Sequence, residues 1–471
     1  MRDRRRSTAR RRASWLVALL TAATVAVSTG AGVTGVSVAH AAGLGAGGEY
    51  HPLAPTRIFD TRSPGIPAGT TGPIATNPTG SVDVSILGQG GIPAAATDVL
   101  AVAVSITVVT PTRDGYLQAS PTGSTPGVSS VLNFLAGQTV PNLTVLTVGA
   151  NGKITVKLVT TAAGSAHVLI DVFGWFSTSS FSPPSAAMAG ARLMPVSPGR
   201  IYDSREPSFN PGGAPLGANA VVQVPIRGAD AKNPDVADIV PNSADVVGVV
   251  LNVTGIDDNP GSTNTFVSML PEDPTGTVTT SNLNLSPGQV KANLVIVPVT
   301  NADGAVRLFN NAGKTHVAID VVGYMLANQD PNTRLGRVVP LSAPFRAFDT
   351  REASFGNVRL GPSQAETWSF AQFVNSVTLD GSPIGNQVAL LGNLTGTDLA
   401  RFAPTTPVAT YFTLYPGDAA RPFSSNINVT EGANVPNMAV VKLGADDTIK
   451  AYNNAGSVHY LFDVSAVVLD N

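Results

Sequence analysis

The sequence predicts an all-β protein made of three tandem antiparallel β-sandwich domains, Greek-key or jelly-roll in type. Three observations carry that expectation. First, one phrase is written three times, as RIFDTR from Arg57, RIYDSR from Arg200 and RAFDTR from Arg346. Each copy closes on a second phrase, HVLIDVFGWF, HVAIDVVGY and HYLFDVSAVV, with its aspartate at Asp171, Asp320 and Asp463. Second, charged residues make up only 13 % of the chain, while it holds 47 Gly and 36 Pro, a balance of strand and turn formers. Third, no amphipathic helical period appears in any copy. β-Barrel-like domains are the alternative architecture.

The repeat sets the organisation. Arg57 to Arg200 spans 143 residues and Arg200 to Arg346 spans 146. Units of that size can each bury a core, unlike the short interdependent repeats of a solenoid. The expected domains are 48–178, 190–326 and 335–471, after a leader at 1–41. Met1 to Arg12 carries seven arginines, an apolar stretch follows from Trp15, and Ala39-His40-Ala41 fits a small-residue cleavage site. That apolar stretch is shorter than the roughly 20 residues of a membrane span, so a cleaved signal peptide is expected; a retained anchor is the alternative. Without the leader, Lys+Arg falls from 29 to 22 and Asp+Glu from 31 to 30, a net charge of −8. That balance does not suit nucleic acid. The chain has no Cys, so disulfides and thiolate metal sites are excluded.

Within each copy the elements follow one order. A Pro-spaced lead (PLAPTR, PVSPGR, PLSAPFR) precedes the DTR phrase and a Gly/Pro-rich loop. Alternating strands are expected at Val82–Ile86, Val221–Ile226 and Ala365–Phe370. Long apolar strands follow from Val99, Val246 and Val388, read as buried on both faces. The block SVLNFLAGQTVPNL, SNLNLSPGQVKANL and SNINVTEGANVPNM reads as a hairpin, with a turn at Gly137, Gly288 and Gly432. Further hairpins are expected before YLQASP, TFVSMLP and YFTLYP, and around Asn151-Gly152, Asp303-Gly304 and Asp446-Asp447. Both linkers, Ser177 to Ala191 and Asn328 to Gly336, are short, so close packing of the domains is expected.

Few residues invite chemistry. His167, His316 and His459 each stand four residues before Asp171, Asp320 and Asp463, too few ligands per copy for a metal site. Arg57, Asp60 and Arg62 recur as Arg200, Asp203, Arg205 and as Arg346, Asp349, Arg351. A carboxylate between guanidiniums takes bidentate hydrogen bonds. The expectation is a charged clasp that joins this phrase to the closing strand bearing Asp171, Asp320 or Asp463; an anion site on the arginines is the functional alternative. Asn142, Asn252, Asn393 and Asn428 lie in N-x-T sequons, but read as turn or bridge residues within strands. No nucleophile elbow, phosphate loop or HExxH is present. No catalytic residue, metal or cofactor is expected. Outside the leader only Trp175 and Trp368 remain, at non-equivalent places, which weakens an aromatic sugar platform.

The ordered motifs PxRxxDTR, VxLNVT, SNLNxxxGQxxxNL and HVxxDVxGY resemble a tandem all-β repeat of exported actinobacterial proteins. The resemblance covers nearly the whole chain after the leader and implies an exported module without an established activity. Copy three departs from it at Ala433, where the others have Gln, and at DVSAVVLDN. The expected function is a secreted, non-enzymatic structural, adhesive or binding protein of the cell envelope or extracellular space. A carbohydrate-binding protein and a hydrolase with a site in one copy are the alternatives. Expected partners are cell-wall or extracellular polysaccharide, or other surface proteins, with no membrane span once the leader is removed. If the clasp holds each copy together, Asp60→Ala or Asp171→Ala leaves an unpaired buried charge and abolishes the normal thermal transition.

Overall fold

A computed structural model describes residues 47–63, 72–125, 127, 129–185, 189–232, 234–257, 263–330, 332–371, 373, 378–379, 382–383, 386–400 and 409–471. The expected leader at 1–41 lies outside them. No helix among the described residues is long and apolar enough to cross a membrane.

The described chain is built of antiparallel strands. Copy one holds β1 (Tyr50–Asp60), β2 (Ile74–Thr76), β3 (Thr79–Ser85), β4 (Val99–Val109), β5 (Gly115–Pro121), β6 (Leu132–Phe134), β7 (Val140–Leu146), β8 (Lys153–Thr160) and β9 (Gly164–Ser177). Copy two holds β10 (Arg192–Asp203), β11 (Ala220–Pro225), β12 (Val246–Ile256), β13 (Thr265–Leu270), β14 (Leu283–Leu285), β15 (Val290–Pro298), β16 (Ala305–Asn310) and β17 (His316–Leu326). Copy three holds β18 (Val338–Asp349), β19 (Gln364–Ser369), the short pair β20 (Thr378–Leu379) and β21 (Ser382–Pro383), β22 (Gln387–Ala400), β23 (Ala409–Pro416), β24 (Ile427–Thr430), β25 (Val435–Lys442), β26 (Thr448–Asn453) and β27 (Ser457–Leu469).

Each copy makes two sheets with one pattern. In copy one the inner sheet has the order β1-β9-β4-β7, with β2 added on β9, and the outer sheet β3-β8-β5-β6. Copies two and three repeat it as β10-β17-β12-β15 with β11-β16-β13-β14, and β18-β27-β22-β25 with β19-β26-β23-β24. A buried apolar cluster lies between the two sheets of each copy; in copy one it includes Val104 and Ile106 from β4, and Val156 and Leu158 from β8.

This order corrects the hairpin expectations. β6 pairs with β5, and β7 with β4, so the turn at Gly137 carries the chain from one sheet to the other. β7–β8 and β4–β5 cross in the same way. Turn chemistry sets where a chain reverses; it does not say in which sheet the next strand pairs. Gly137, Gly288 and Gly432 adopt φ of +77°, +78° and +76°, a left-handed conformation that glycine reaches at little cost.

The inner sheets are apolar on both faces because both are covered. Along β4, Val102, Val104 and Ile106 face the cluster within the copy. The alternate residues Ala101 and Ala103 face a fourth cluster shared by all three copies, with Leu143, Val145, Leu294, Ile296, Met438 and Val440. The outer strand β8 faces solvent on one side and alternates accordingly, with every second residue buried.

Backbone bonds join the copies at the starts of their first strands. Gly48 N donates to Val338 O at 2.9 Å, Tyr50 N to Ala191 O at 2.7 Å, and Leu193 N to Gly336 O at 2.9 Å. Gly48 must be glycine there, since a Cβ would meet the Ser177 carbonyl oxygen at 2.2 Å. Glu49, Arg192 and Arg337 fall at equivalent positions of this junction, and Glu49 pairs with both arginines, at 3.2 and 3.6 Å.

Asparagines seal the shared faces further along. Asn142 Nδ2 donates to Asn393 Oδ1 at 3.0 Å, and Asn393 Nδ2 to Ser130 O at 2.7 Å. Asn437 Nδ2 donates to Asn252 Oδ1 at 2.9 Å, and Asn252 Nδ2 reaches Ser425 O. The third equivalent position is Ser105, whose buried hydroxyl has no hydrogen-bond partner. Ser105→Asn supplies the missing amide toward Asn293 and is expected to stabilise the protein by about 1 kcal/mol, measured by denaturant unfolding. No gain would mean that the seam between copies one and two differs from the other two.

Candidate functional site

The repeated charged residues form one constellation in each copy. Arg57 on β1 lies opposite Asp171 on β9. Its Nε donates to Asp171 Oδ1 at 2.9 Å and its Nη2 to Oδ2 at 3.0 Å. Arg57 Nη1 also reaches Asp60 at 3.3 Å, and Arg62 binds Asp60 through Nε at 3.0 Å and Nη2 at 2.8 Å. Copy two repeats this with Arg200 on Asp320 (2.5 and 3.2 Å) and on Asp203 (2.6 Å), and with Arg205 on Asp203 (2.9 and 2.7 Å). Copy three repeats it with Arg346 on Asp463 (2.7 and 3.0 Å) and on Asp349 (2.8 Å), and with Arg351 on Asp349 (2.9 and 2.6 Å). All six aspartates are buried, while Arg62, Arg205 and Arg351 keep exposed heads.

The middle residue of the phrase docks as well. The hydroxyls of Thr61, Ser204 and Thr350 contact Nδ1 of His167, His316 and His459 at 2.9, 3.0 and 3.1 Å. Each hydroxyl also accepts the backbone N–H of the residue after its histidine. The first arginine, the aspartate and the hydroxyl of each phrase are therefore engaged by their own copy's last strand or their own loop. No cluster of three His, Cys, Asp or Glu among the described residues could hold a metal.

The electrostatics follow from burial and pairing. Burial opposes ionisation of Asp60, Asp203 and Asp349, but bonds from Arg62, Arg205 and Arg351 outweigh it and hold these carboxyls below the usual carboxylate range. Asp320 is fully buried, and desolvation pushes its carboxyl up despite Arg200. Arg200 is more enclosed than Arg57 or Arg346. Lys232 pairs across its backbone, and the Phe423 ring of copy three lies 5.5 Å from its guanidinium.

The second feature is a cavity of about 470 Å³ where the three copies meet. It is walled by equivalent segments around the turns at Gly137, Gly288 and Gly432: Val140-Pro141, Lys291-Ala292 and Val435-Pro436. Tyr116, Asn133 and Phe134 from copy one and Asn428 from copy three complete the walls. The Gln138 and Gln289 amides brace their turns by accepting the N–H of Leu135 and Ser286 at 3.0 and 2.9 Å. Copy three has Ala433 there, and its neighbour Asn434 accepts the Thr397 hydroxyl instead. Asp114 accepts Ala136 N–H at 2.8 Å.

Among the described residues, one cation lines this cavity. Lys291 stands where the other copies have Val140 and Val435, and burial pushes its ammonium down to about 8. Its Nζ donates to Asn284 O at 3.4 Å. Lys291 was missed in the sequence reading, although the repeat exposes it as a charged residue in an apolar column. A smaller gap of about 50 Å³ sits between copies one and three beside Asn142, Asn393 and Asp463. The two tryptophans pack inward: Trp175 stacks on His51 at 4.0 Å, and Trp368 on Phe348 at 4.7 Å.

No family model and no curated protein matches the chain. Among solved structures, it is similar to a protein described under "The Triple Jelly Roll Fold and Turret Assembly in an Archaeal Virus", at 8 % identity over 89 % of this chain and 90 % of that one, with a TM-score of 0.17. A protein of Sulfolobus Turreted Icosahedral Virus aligns at 9 % identity over 84 % and 85 %, TM-score 0.16. A tandem CBM22 domain from Paenibacillus barcinonensis aligns at 12 % identity over 59 % of this chain and 99 % of that one, TM-score 0.15. Superpositions at these scores carry no argument about fold or function.

Two outcomes are expected of the clasp. Asp320→Ala removes the bidentate partner of the buried Arg200 and leaves it Asp203 alone, and is expected to cost about 3 kcal/mol in denaturant unfolding; a wild-type midpoint would refute the clasp. Because Asp349 has a lowered folded value, its contribution is present above the ordinary carboxylate range and is lost as pH falls through and below it. Asp349→Asn should therefore flatten the loss of stability between about pH 4 and pH 2. An unchanged slope would remove Asp349 from the account.

Proposed function

We propose that the protein is a secreted, non-enzymatic binding or structural protein of the cell envelope or extracellular space, built from three jelly-roll β-sandwich domains locked into one head. The strand orders 1-9-4-7 and 3-8-5-6, facing each other across a buried cluster, are those of an eight-stranded jelly roll, which supports that architecture over a closed barrel. One observation carries the function. The repeated charged residues are consumed within the fold, and the three copies converge on a shared cavity. Triplication thereby builds one site and a rigid frame around it, as suits a binding head.

A saccharide is the second reading. Five amides (Asn133, Gln138, Gln289, Asn428 and Asn434) and Tyr116 stand among the apolar residues that wall the cavity, and such groups recognise hydroxyl-rich ligands. For the hydrolase alternative, the described residues of the lining offer one carboxylate, Asp114, where glycoside hydrolysis commonly uses a pair.

Fractionation of producing cells and pull-down of the purified protein on peptidoglycan and insoluble polysaccharides test the proposal. The expected outcome is protein in the medium or wall fraction, retained by wall or extracellular polysaccharide without releasing soluble sugar. Cytoplasmic protein, or turnover of the polysaccharide, would overturn it.

A further inference from the structure

We propose that the cavity shared by the three copies is a receptor site for a carboxylate-bearing sugar such as a uronic acid, with Lys291 as the cation that selects the acid. This rests on the saccharide reading of the cavity and adds the charge class of the ligand.

Size comes first. About 470 Å³ falls inside the roughly 300–1,000 Å³ typical of small-molecule sites. That is ample for a sugar ring and wasteful for acetate alone. Lys291 breaks the apolar column of the repeat. In copies one and three the equivalent residues, Val140 and Val435, pack against the cluster of their own copy. In copy two the column holds an ammonium whose charged form is disfavoured by burial, so the lysine costs the fold stability that a valine would not. A half-buried cation with a perturbed charge, set in a cavity wall, marks a candidate site. Its register partner on β12 is Gly255, which adds no side chain beside it.

The ammonium also has donors to spare. It carries three N–H groups, and one meets Asn284 O. Asn284 is the counterpart of Asn133 and Asn428, both of which line the cavity. Among the described residues, the titratable groups of the lining are Asp114, Tyr116 and Lys291. One ammonium alongside one carboxylate suits a singly charged ligand better than a doubly charged phosphate. The amides of the wall are suited to the hydroxyls of the sugar.

The charge gives the site a pH signature. Free Lys291 is charged below about pH 8, and a bound carboxylate stabilises that charged form further. Affinity is therefore flat below about pH 8 and falls as pH rises above it.

The test uses the whole chain without its leader, titrated with D-glucuronate, D-glucose and acetate and followed by saturation-transfer NMR. Lys291→Met and Lys291→Arg are run beside the wild type. Expected are glucuronate binding about tenfold tighter than glucose, a loss of about tenfold in Lys291→Met, and retention in Lys291→Arg. Lys291→Met should also melt higher than the wild type, which separates lost binding from lost folding. Equal binding of glucuronate and glucose, unaffected by Lys291→Met, overturns the acid selectivity and leaves the saccharide reading standing. Absence of binding by every sugar, with the protein folded, overturns the cavity as a sugar site. Acetate binding as tightly as glucuronate overturns the role of the ring.

Discussion

The bidentate bond between the first and last strands of each copy, Arg57 to Asp171 and its two equivalents, is the constraint on which the rest depends. It pins β1 against β9 at one register. The same row of the sheet continues through Ser105 and Leu143, and in the other copies through Asn252 and Leu294 or Asn393 and Met438. Leu143, Leu294 and Met438 belong to the core that all three copies share. The clasp thus stands on the face that meets a neighbour, and a slip of one residue would turn it into the apolar cluster of its own copy. Register within a copy and docking between copies are one requirement.

Charge at such a face needs full pairing. The chain meets that need by giving Arg57, Arg200 and Arg346 two carboxylates each, and each Asp60-type carboxylate a second arginine with an exposed head. The asparagine seam then satisfies the backbone of the neighbouring copy. Apolar packing supplies the area, and the polar layer sets the alignment. The cavity at the turns is a consequence, since three equivalent turns held in one alignment enclose a common space.

The all-β, antiparallel character was legible in the composition, and β4 stands at the very residues, Val99 to Val109, that its apolar run marks. The two phrases RIFDTR and HVLIDVFGWF made the meeting of Arg57 and Asp171 a natural expectation, because charge complementarity and equal spacing recur together. Sheet membership was not legible. A glycine turn after Asn133 looks the same whether the next strand pairs beside it or crosses to the facing sheet. The role of the second apolar face on β4, β12 and β22 was also hidden, since burial in a sheet interior and burial against another copy leave the same sequence. Lys291 is the opposite case. It was readable as a break in the column of Val140 and Val435, and the reading of the repeat as a folding device drew attention to what the copies share.

The central claim is that three copies form one cooperative body. Differential scanning calorimetry of the chain without its leader tests this most directly. The account predicts a single endotherm whose calorimetric and van't Hoff enthalpies agree, because no copy can lose its clasp face without exposing its neighbours. Three separable transitions, each with the enthalpy of one copy, would contradict it.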